Sequence, residues 1–373
     1  MPVAIYCDGC GSADRGAIMD EKNLQRLRAK YGTASAGDVL DPEFKKVVDI
    51  LFSSADRRAK PYEGISTFLD APLRLDAPKL DDFGGLDIAL IGVPFDLGVT
   101  NRPGSRLGPR AVRQIERVGP YHEVHRIVPS SIANIADVGD IPFRSRYSLP
   151  ESHEDIEAFY AKLHAAGVAP ASVGGDHSMA LPILTALGRD RPVGLIHIDA
   201  HCDTGGPFEG SKFHHGGPFR EAVLAGVLDP QRTIQIGIRG NAEYLWEFSY
   251  DSGMTVIHAE EFMRMDIDDV IARMRHVVGD GPTYITFDID SLDPGFAPGT
   301  GTPEVGGLSP REAMALIRGA AGLDIIGGDV VEVAPQYDAT TATAQAAAQM
   351  LFEIVSVIAM SKAKRNEAVN PTL

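Results

Sequence analysis

The side chains best suited to chemistry lie in the segment HIDAHCD, which runs from His197 to Asp203 directly after an apolar run. Asp199, His201 and Asp203 occupy alternate positions in it. Successive side chains of an extended chain point to opposite faces, so these three are expected to point the same way. Two carboxylates and an imidazole converging at the end of a buried strand suit a borderline divalent metal ion.

Two further motifs follow apolar runs in the same way. FDIDSLDP begins at Phe287 and places Asp288 and Asp290 on one side, and GGDHS contributes His177. A single aspartate at a strand end is usually a turn or capping residue, and a single histidine is usually not a ligand. Four aspartates and two histidines together, however, would be costly to bury unless cations neutralised them. The three motifs together therefore predict a metal centre.

The composition limits the class of protein. The chain has 373 residues, 44% of them apolar, which is enough for a large core in one α/β domain preceded by an arm. Its net charge of −16 argues against nucleic acid and anionic membranes as partners and favours a cationic substrate.

The cysteines and the terminal segments predict a cytoplasmic protein. Cys7, Cys10 and Cys202 are too few for a disulfide framework. Cys7 and Cys10 are spaced like one half of a zinc or redox motif, but the sequence has no matching second pair. We therefore assign them no function. Residues 1–17 lack the pattern of a signal peptide, and the apolar run at 350–360 is short and interrupted by a glutamate, which favours a core helix.

The pattern of strands and helices predicts an N-terminal arm at residues 1–75 and a catalytic domain at 76–373. Helical periodicity in the arm covers 21–31 and 41–55. Strands and helices alternate in the domain, which predicts a mainly parallel sheet between two layers of helices, a three-layer α/β/α fold. The predicted strands cover 88–93, 132–137, 172–173, 193–198, 233–238, 255–258, 283–288 and 325–333. The predicted helices cover 109–118, 152–166, 180–187, 219–225, 267–278, 310–321 and 340–362.

The motifs resemble those of the ureohydrolase family, which includes arginase, agmatinase and guanidinobutyrase. The resemblance rests on GGDHS at 174–178, HIDAHCD at 197–203, FDIDSLDPGFAPGTGTPEVGGL at 287–308 and EVAPQYD at 332–338. The loop NRPGSRLGP at 101–109 is similar to the agmatinase branch. The resemblance covers most of the chain and implies an arginase-like fold.

The resemblance also implies two divalent metal ions per subunit, Mn²⁺ or Ni²⁺, between which the donor set does not choose. One ion would be held by His177, Asp199, Asp203 and Asp288. The other would be held by His201, Asp199, Asp288 and Asp290. All six positions carry the expected residue, which a degenerate, non-catalytic chain would not be expected to retain.

The implied reaction is the hydrolysis of a guanidino compound to urea and an amine or ammonia. A guanidinium carbon is poorly electrophilic, so the reaction at neutral pH needs a stronger nucleophile than water. Water bridging two divalent cations loses much of its proton affinity and is available as hydroxide near pH 7. Four aspartates cancel the charge of two such ions, and hydroxide then leaves a slightly negative site that attracts a cation.

Three further roles follow from the resemblance. Glu332 matches a glutamate that binds guanidinium N–H groups, and a planar carboxylate can accept two of them. His215 matches a loop histidine that contacts the substrate and protonates the departing amine; its neighbour His214 is the competing candidate. Asp203, besides binding metal, is placed to take the proton of the hydroxide.

The loop at 204–213 bears on the substrate. It lacks the serine and asparagine pattern of arginases and contains Phe208 and Phe213, so arginine is disfavoured and Phe208 is a predicted substrate contact. Lys212 is available for a substrate carboxylate and Glu209 for an amine. Agmatine and guanidino acids such as guanidinobutyrate or guanidinopropionate therefore remain open.

The length of the arm favours a different substrate class. It resembles the branch that hydrolyses free guanidine, alkylguanidines or biguanides, for which nickel is implied, and we expect small guanidines to be the substrates. Tyr62 and Phe68 are candidate pocket contacts in the arm. An arm used only for subunit contact is an equally good interpretation.

Two other classes of protein fit the sequence less well. Deacetylases of similar fold use a single zinc and a catalytic tyrosine, and the complete second ligand set argues against them. A structural subunit of a mixed oligomer with a paralogue is disfavoured by the intact ligands and by Glu332. Because relatives form trimers or hexamers, we expect a homo-oligomer.

Asp293 is assigned to a turn, Asp338 to a helix cap, and Cys202 is expected to face away from the metals.

Overall fold

The structure is a computed structural model that describes residues 20–35, 38–52, 63–116, 118–240 and 242–369. The chain divides into two compact units, Met1–Arg58 and Ala59–Leu373. Cys7, Cys10 and Tyr62 lie outside the described residues.

The first unit contains helices α1, Glu21–Tyr31, and α2, Pro42–Phe52. Asp20 caps α1 by accepting the backbone N–H of Lys22 at 3.1 Å. Both helices were predicted, and the part of the second prediction beyond Phe52 lies outside the described residues.

The predicted arm boundary at residue 75 stays a prediction, although part of the predicted arm belongs to the second unit. Phe68 is fully buried in its core, donates its backbone N–H to Asp137 at 3.0 Å and lies under the guanidinium of Arg113. Phe68 is therefore a core residue.

The second unit is built on an eight-stranded parallel sheet of strand order β2-β1-β3-β8-β7-β4-β5-β6. Most strand residues are buried, as expected for a sheet covered on both faces. The strands are β1 Ile88–Gly92, β2 Ile135–Asp140, β3 Ala169–Val173, β4 Val193–Ile198, β5 Leu228–Ile238, β6 Thr255–His258, β7 Thr283–Asp288 and β8 Ile325–Val331. The α/β fold predicted from the alternating pattern is confirmed.

Helices connect the strands. They are α3 Gly108–Arg113, α4 Leu149–Ala165, α5 Ala180–Leu187, α6 Pro218–Leu224, α7 Glu247–Ser252, α8 Ala259–Phe262, α9 Ile267–Val278, α10 Pro310–Gly319 and α11 Ala342–Val369. The short helices α7 and α8 were not predicted. A capping box at Ser309 and Glu312 starts α10, because each side chain accepts the other residue's backbone N–H.

Helix α11 is the long apolar helix of the core. Among the described residues it is the helix long and apolar enough to cross a membrane, but 78% of its most apolar stretch is buried inside the protein. It packs against β8 and α10, and its buried Glu353 binds Arg318 and His122. The prediction of a core helix here is confirmed.

The register of the four central strands, β3, β8, β7 and β4, aligns their carboxyl ends. Val330 of β8 pairs with Val173 of β3 on one side and with Phe287 of β7 on the other, and Phe287 pairs with Ile198 of β4. These strands therefore end level at their carboxyl ends, where ligand sites of open α/β sheets usually form. All six candidate ligands lie at or beyond the ends of β3, β4 and β7 at this line.

Candidate metal centre and active site

His177 lies at the centre of the first group of ligand candidates. Its Nδ1 is 2.9 Å from a carboxylate oxygen of Asp203, 3.1 Å from one of Asp199 and 3.3 Å from one of Asp288. All four side chains are buried. Side chains that follow three different strands, β3, β4 and β7, thus meet at His177 Nδ1.

His201 lies at the centre of the second group. Its Nδ1 is 3.2 Å from an Asp290 oxygen and 3.6 Å from Asp199 Oδ1. Asp199 therefore faces both histidines, one with each oxygen, which is the arrangement expected of a bridging ligand. The structure brings all six predicted ligands together, and their roles as ligands stay predictions.

The electrostatics of this cluster fit divalent cations. The Nδ1 atom of His177 is buried and has no hydrogen bond, although three carboxylates surround it. Burial, with the charges of Asp290 and Asp199, raises the pKa of Asp288 well above its usual range. Burial lowers the pKa of His177, but the adjacent carboxylates outweigh it and raise that pKa well above normal. Without cations, the clustered negative charge therefore favours protonation of these groups. Bound metal ions would neutralise the same charge.

A buried chain of hydrogen bonds fixes the orientation of His177. Its Nε2 is 2.8 Å from Thr286 Oγ1, and that hydroxyl donates to Asp329 Oδ1 at 2.6 Å. Tyr284 donates to the other Asp329 oxygen at 2.8 Å. Because the Thr286 proton goes to Asp329, the hydroxyl accepts from His177 Nε2–H. In the neutral ring the lone pair is therefore on Nδ1, where it faces the carboxylates and is available to a cation.

His197 is a site residue that the sequence analysis missed. Its Nε2 lies 2.7 Å from Asp199 Oδ2, and its Nδ1 lies 3.0 Å from the amide nitrogen of Gln235. Since the amide donates to Nδ1, the proton resides on Nε2 and is donated to Asp199. His197 therefore orients a ligand instead of being one. Strand alternation, which puts His197 on the same face as Asp199, was the available signal.

Glu332 lies beside the cluster with one oxygen unused. Its Oε1 accepts the backbone N–H of His177 and lies against His215 Nδ1, both at 2.9 Å. Its Oε2 is buried and has no hydrogen-bond partner. The residue has a left-handed backbone with φ of 62°, a strain of about 1 to 3 kcal/mol that is typical of functional sites.

His215 is enclosed by the loop that follows β1. Its backbone N–H donates to Gly98 O at 2.9 Å, and its Nε2 meets both the backbone N–H and the hydroxyl of Thr100. Burial lowers its pKa, but the charge of Glu332 and the hydrogen bond to it raise the pKa to about 9. His215 thus contacts Glu332, the carboxylate whose other oxygen has no partner.

His214 and Phe208 are placed differently. His214 Nε2 lies 2.9 Å from the carbonyl oxygen of Gly206, so this ring braces its own loop. Phe208 is half exposed, with its ring 6.1 Å from that of His214. Its role as a substrate contact stays a prediction.

The residues assigned to structure behave as predicted. Asp293 accepts the backbone N–H groups of Gly295 and Gly306 in a turn. Asp338 accepts from Thr343 at the start of α11. Cys202 points away from the ligands, toward the carbonyl of Leu245.

The fold is a parallel α/β sheet with two His/Asp clusters at the ends of its central strands. A carboxylate with a buried, unpartnered oxygen lies next to them. This combination is typical of hydrolases that use paired divalent cations on cationic substrates. The chain belongs to the Arginase family, whose model matches residues 86–356.

Individual relatives narrow the class. The chain is 47% identical to the guanidinopropionase of Pseudomonas aeruginosa over 304 residues, 80% of this chain and 95% of that protein. It is 44% identical to the mitochondrial agmatinase of Gallus gallus over 82% of this chain and 88% of that protein.

Solved structures agree. The proclavaminate amidino hydrolase of Streptomyces clavuligerus matches with a TM-score of 0.75 and 34% identity, over 81% of this chain and all of that one. The formiminoglutamase of Trypanosoma cruzi, solved with Mn²⁺, matches with a TM-score of 0.68 and 25% identity, over 78% of this chain and 99% of that one.

The chain is therefore an amidinohydrolase of the agmatinase-like branch, acting on guanidino compounds. The family binds a dinuclear divalent metal centre, and this chain has the corresponding His/Asp cluster. The relatives support the alternative substrates, guanidino acids and agmatine, better than the small guanidines and biguanides predicted from the length of the arm.

Proposed function

We propose that this enzyme hydrolyses an ω-guanidino acid, such as guanidinopropionate or guanidinobutyrate, to urea and the corresponding amino acid. The observation that carries the proposal is the buried, unpartnered Oε2 of Glu332 next to the ligand cluster. The identity to guanidinopropionase supports the acid substrate, and agmatine is the second candidate because of the identity to agmatinase.

Glu332 would orient the guanidinium group. Its Oε1 is already held by His177 N–H and His215, so Oε2 is the oxygen left to accept a substrate N–H. Fixing one edge of the planar group places its carbon at a set distance from the ligand cluster. Such positioning supplies a large share of the rate of a hydrolase.

Metal ions would be held by the six His and Asp side chains, and when bound they supply Lewis-acid chemistry and lower the pKa of water. An Asp203 oxygen is available to take a proton during the attack on the guanidinium carbon. His215 would then give a proton to the departing amine, which is a poor leaving group as an anion.

Lys212 supports an acidic tail on the substrate. Its Nζ lies 5.0 Å from the centre of the Phe213 ring, and that ring packs 4.4 Å from His153. His153 in turn contacts Ser178, the neighbour of His177, at 3.2 Å. An exposed cation therefore lies a few side chains from the cluster, where it would attract a carboxylate at the end of a short substrate chain.

The test is urea release by the purified full chain loaded with Mn²⁺ or Ni²⁺. The panel is guanidinopropionate, guanidinobutyrate, agmatine, arginine, guanidine and a biguanide. We expect urea from a guanidino acid at a kcat/KM at least tenfold above agmatine, lost in His177→Ala and retained in the surface control His164→Ala. A preference for agmatine or for free guanidine would overturn the acid assignment, and no urea from any compound by fully loaded protein would overturn the reaction.

Three further expectations belong to this proposal. We favour Mn²⁺ because it is the ion bound by the formiminoglutamase, with Ni²⁺ as the alternative arm of the same assay. A homo-oligomer, trimer or hexamer, would be measured by light scattering. The low cysteine content supports a cytoplasmic location, which fractionation would test.

A further inference from the structure

The contacts of His215 Nε2 have an unusual composition. The backbone N–H of Thr100 lies 3.1 Å from this atom and the hydroxyl of the same residue lies 2.7 Å from it. One residue therefore presents to one nitrogen both an obligate donor and a group that can accept.

The two groups suit the two protonation states of the ring. When Nε2 is unprotonated, it accepts the Thr100 N–H, and the hydroxyl can also donate. When Nε2 is protonated, it donates to Thr100 Oγ1, the only one of the two groups with a lone pair for it. A backbone N–H alone would favour the neutral ring and oppose the charged one.

Several elements keep Thr100 in this place. Gly98, two residues earlier, donates its N–H to the buried carboxylate of Asp176 at 2.8 Å and accepts the backbone N–H of His215 at 2.9 Å. An added Cβ at Gly98 would lie 2.8 Å from the same carboxylate, so the close approach requires glycine. The 98–100 segment is thus fixed between the GGDHS loop and His215.

Exposure gives Thr100 a second use. His215 is 7% exposed, whereas Thr100 is exposed. Thr100 therefore lies between a buried imidazole and solvent, and a proton given up by Nε2 has a hydroxyl next to it.

We propose that Thr100 is the positioning residue of the active site that lets His215 hold and release a proton at Nε2, by supplying a partner for either protonation state. This inference rests on the proposed role of His215 in the reaction. The charged groups facing the ring are Glu332 from the end of β8, Asp203 from the end of β4 and Asp176 from the GGDHS loop. They are unchanged by substitution at Thr100.

The test compares Thr100→Val with Thr100→Ser. Valine keeps the shape and the backbone N–H but removes the acceptor, so the protonated ring loses its partner. A hydrogen bond to a charged group corresponds to about 1 to 2 pKa units, and the alkaline limb of the kcat/KM profile should move to lower pH by that amount. At pH values above the wild-type limb, we expect kcat to fall about 10-fold to 100-fold with little change in KM, and we expect serine to restore both kcat and the position of the limb.

A purely structural role for Thr100 would give a different result. It would lower the melting temperature and the activity at all pH values without shifting the limb. Thr185→Val is the matched control, because Thr185 spends its hydroxyl on the Leu181 carbonyl within helix α5. An unshifted limb in Thr100→Val, or a shift that serine does not reverse, would overturn the proposal.

A second measurement separates this inference from the proposed function. ¹⁵N NMR of histidine-labelled full chain, assigned with His215→Asn, reports the proton on each ring nitrogen without turnover. We expect the His215 titration to move to lower pH in Thr100→Val. If wild-type protein releases no urea but the His215 titration still moves to lower pH in Thr100→Val, the reaction is wrong and the positioning role holds. If urea is released and the titration does not move, the positioning role is wrong.

Discussion

Replacing Glu332 with glutamine removes one charge at the point where we place the substrate. The amide keeps the shape of the side chain, and its orientation is dictated by the surroundings. His177 N–H can only donate, so the amide oxygen must take the Oε1 position, where it is 2.9 Å from that nitrogen. The amide NH₂ then occupies the Oε2 position and presents a donor to a guanidinium that also only donates.

The magnitude follows from this geometry. Oε2 is buried without a partner in the free enzyme, so the substrate would form a desolvated ion pair with it. Removing one member of a buried ion pair costs about 3 to 5 kcal/mol, and each 1.36 kcal/mol is tenfold in rate. We therefore expect Glu332→Gln to lower kcat/KM by roughly 150-fold to 5,000-fold.

The assay is steady-state urea release by metal-loaded protein at saturating and low substrate. Metal content and melting temperature should stay near the wild-type values, because Glu332 is not among the proposed ligands and glutamine keeps the Oε1 contacts. Glu260→Gln is the matched control, an exposed glutamate whose loss should change nothing. A Glu332→Gln enzyme within threefold of wild-type kcat/KM would refute the proposed guanidinium contact.

Two further predictions address the metal site and the core. Thr286→Val removes the acceptor of His177 Nε2 and separates the ring from Asp329, so metal affinity should fall about 10-fold to 100-fold in a competitive chelator titration; an unchanged dissociation constant would contradict the orienting role. Burial raises the pKa of Glu353, but hydrogen bonds from His122 and Arg318 outweigh it and lower the pKa from 4.5 to about 2. The resulting stabilisation, about 3 kcal/mol, is present above pH 4.5 and is lost as the pH falls toward 2. Glu353→Gln should remove this part of the acid dependence of the unfolding free energy, and a denaturation series with the same pH slope in both proteins would exclude it.

The strands that the sequence predicted well are those with β-branched runs. β4 and β7 match their predicted bounds, as does β6. The sequence indicated only the last two residues of β3, because Pro170 lacks a backbone N–H and argues against a central strand. Pro170 nevertheless pairs with Ala89 in the parallel ladder. Tertiary pairing here overrides a local preference.

The ligand set was predictable because alternation along a strand is a local property. Residues that meet the site from distant loops were not. Thr100 is 115 residues from its partner His215 in the chain, and Asp329 reaches His177 only through the hydroxyl of Thr286. No local periodicity relates such pairs, so they become visible only once the strands are in register.

Two of the described non-glycine residues with left-handed backbone are Asp203 and Glu332, with φ of 51° and 62°. Each follows a strand that ends level with its neighbours, and each turns its carboxylate toward the cluster as the chain leaves the sheet. Glycine would relieve the strain at either position, but it would remove a carboxylate that lies within 3 Å of His177. The strained backbone at these two positions is therefore best explained by the position of the carboxylate and not by the needs of the turn. The Asp203 and Glu332 carboxylates thus lie beyond the ends of β4 and β8 at the cost of local backbone strain, which the stability of the buried central sheet offsets.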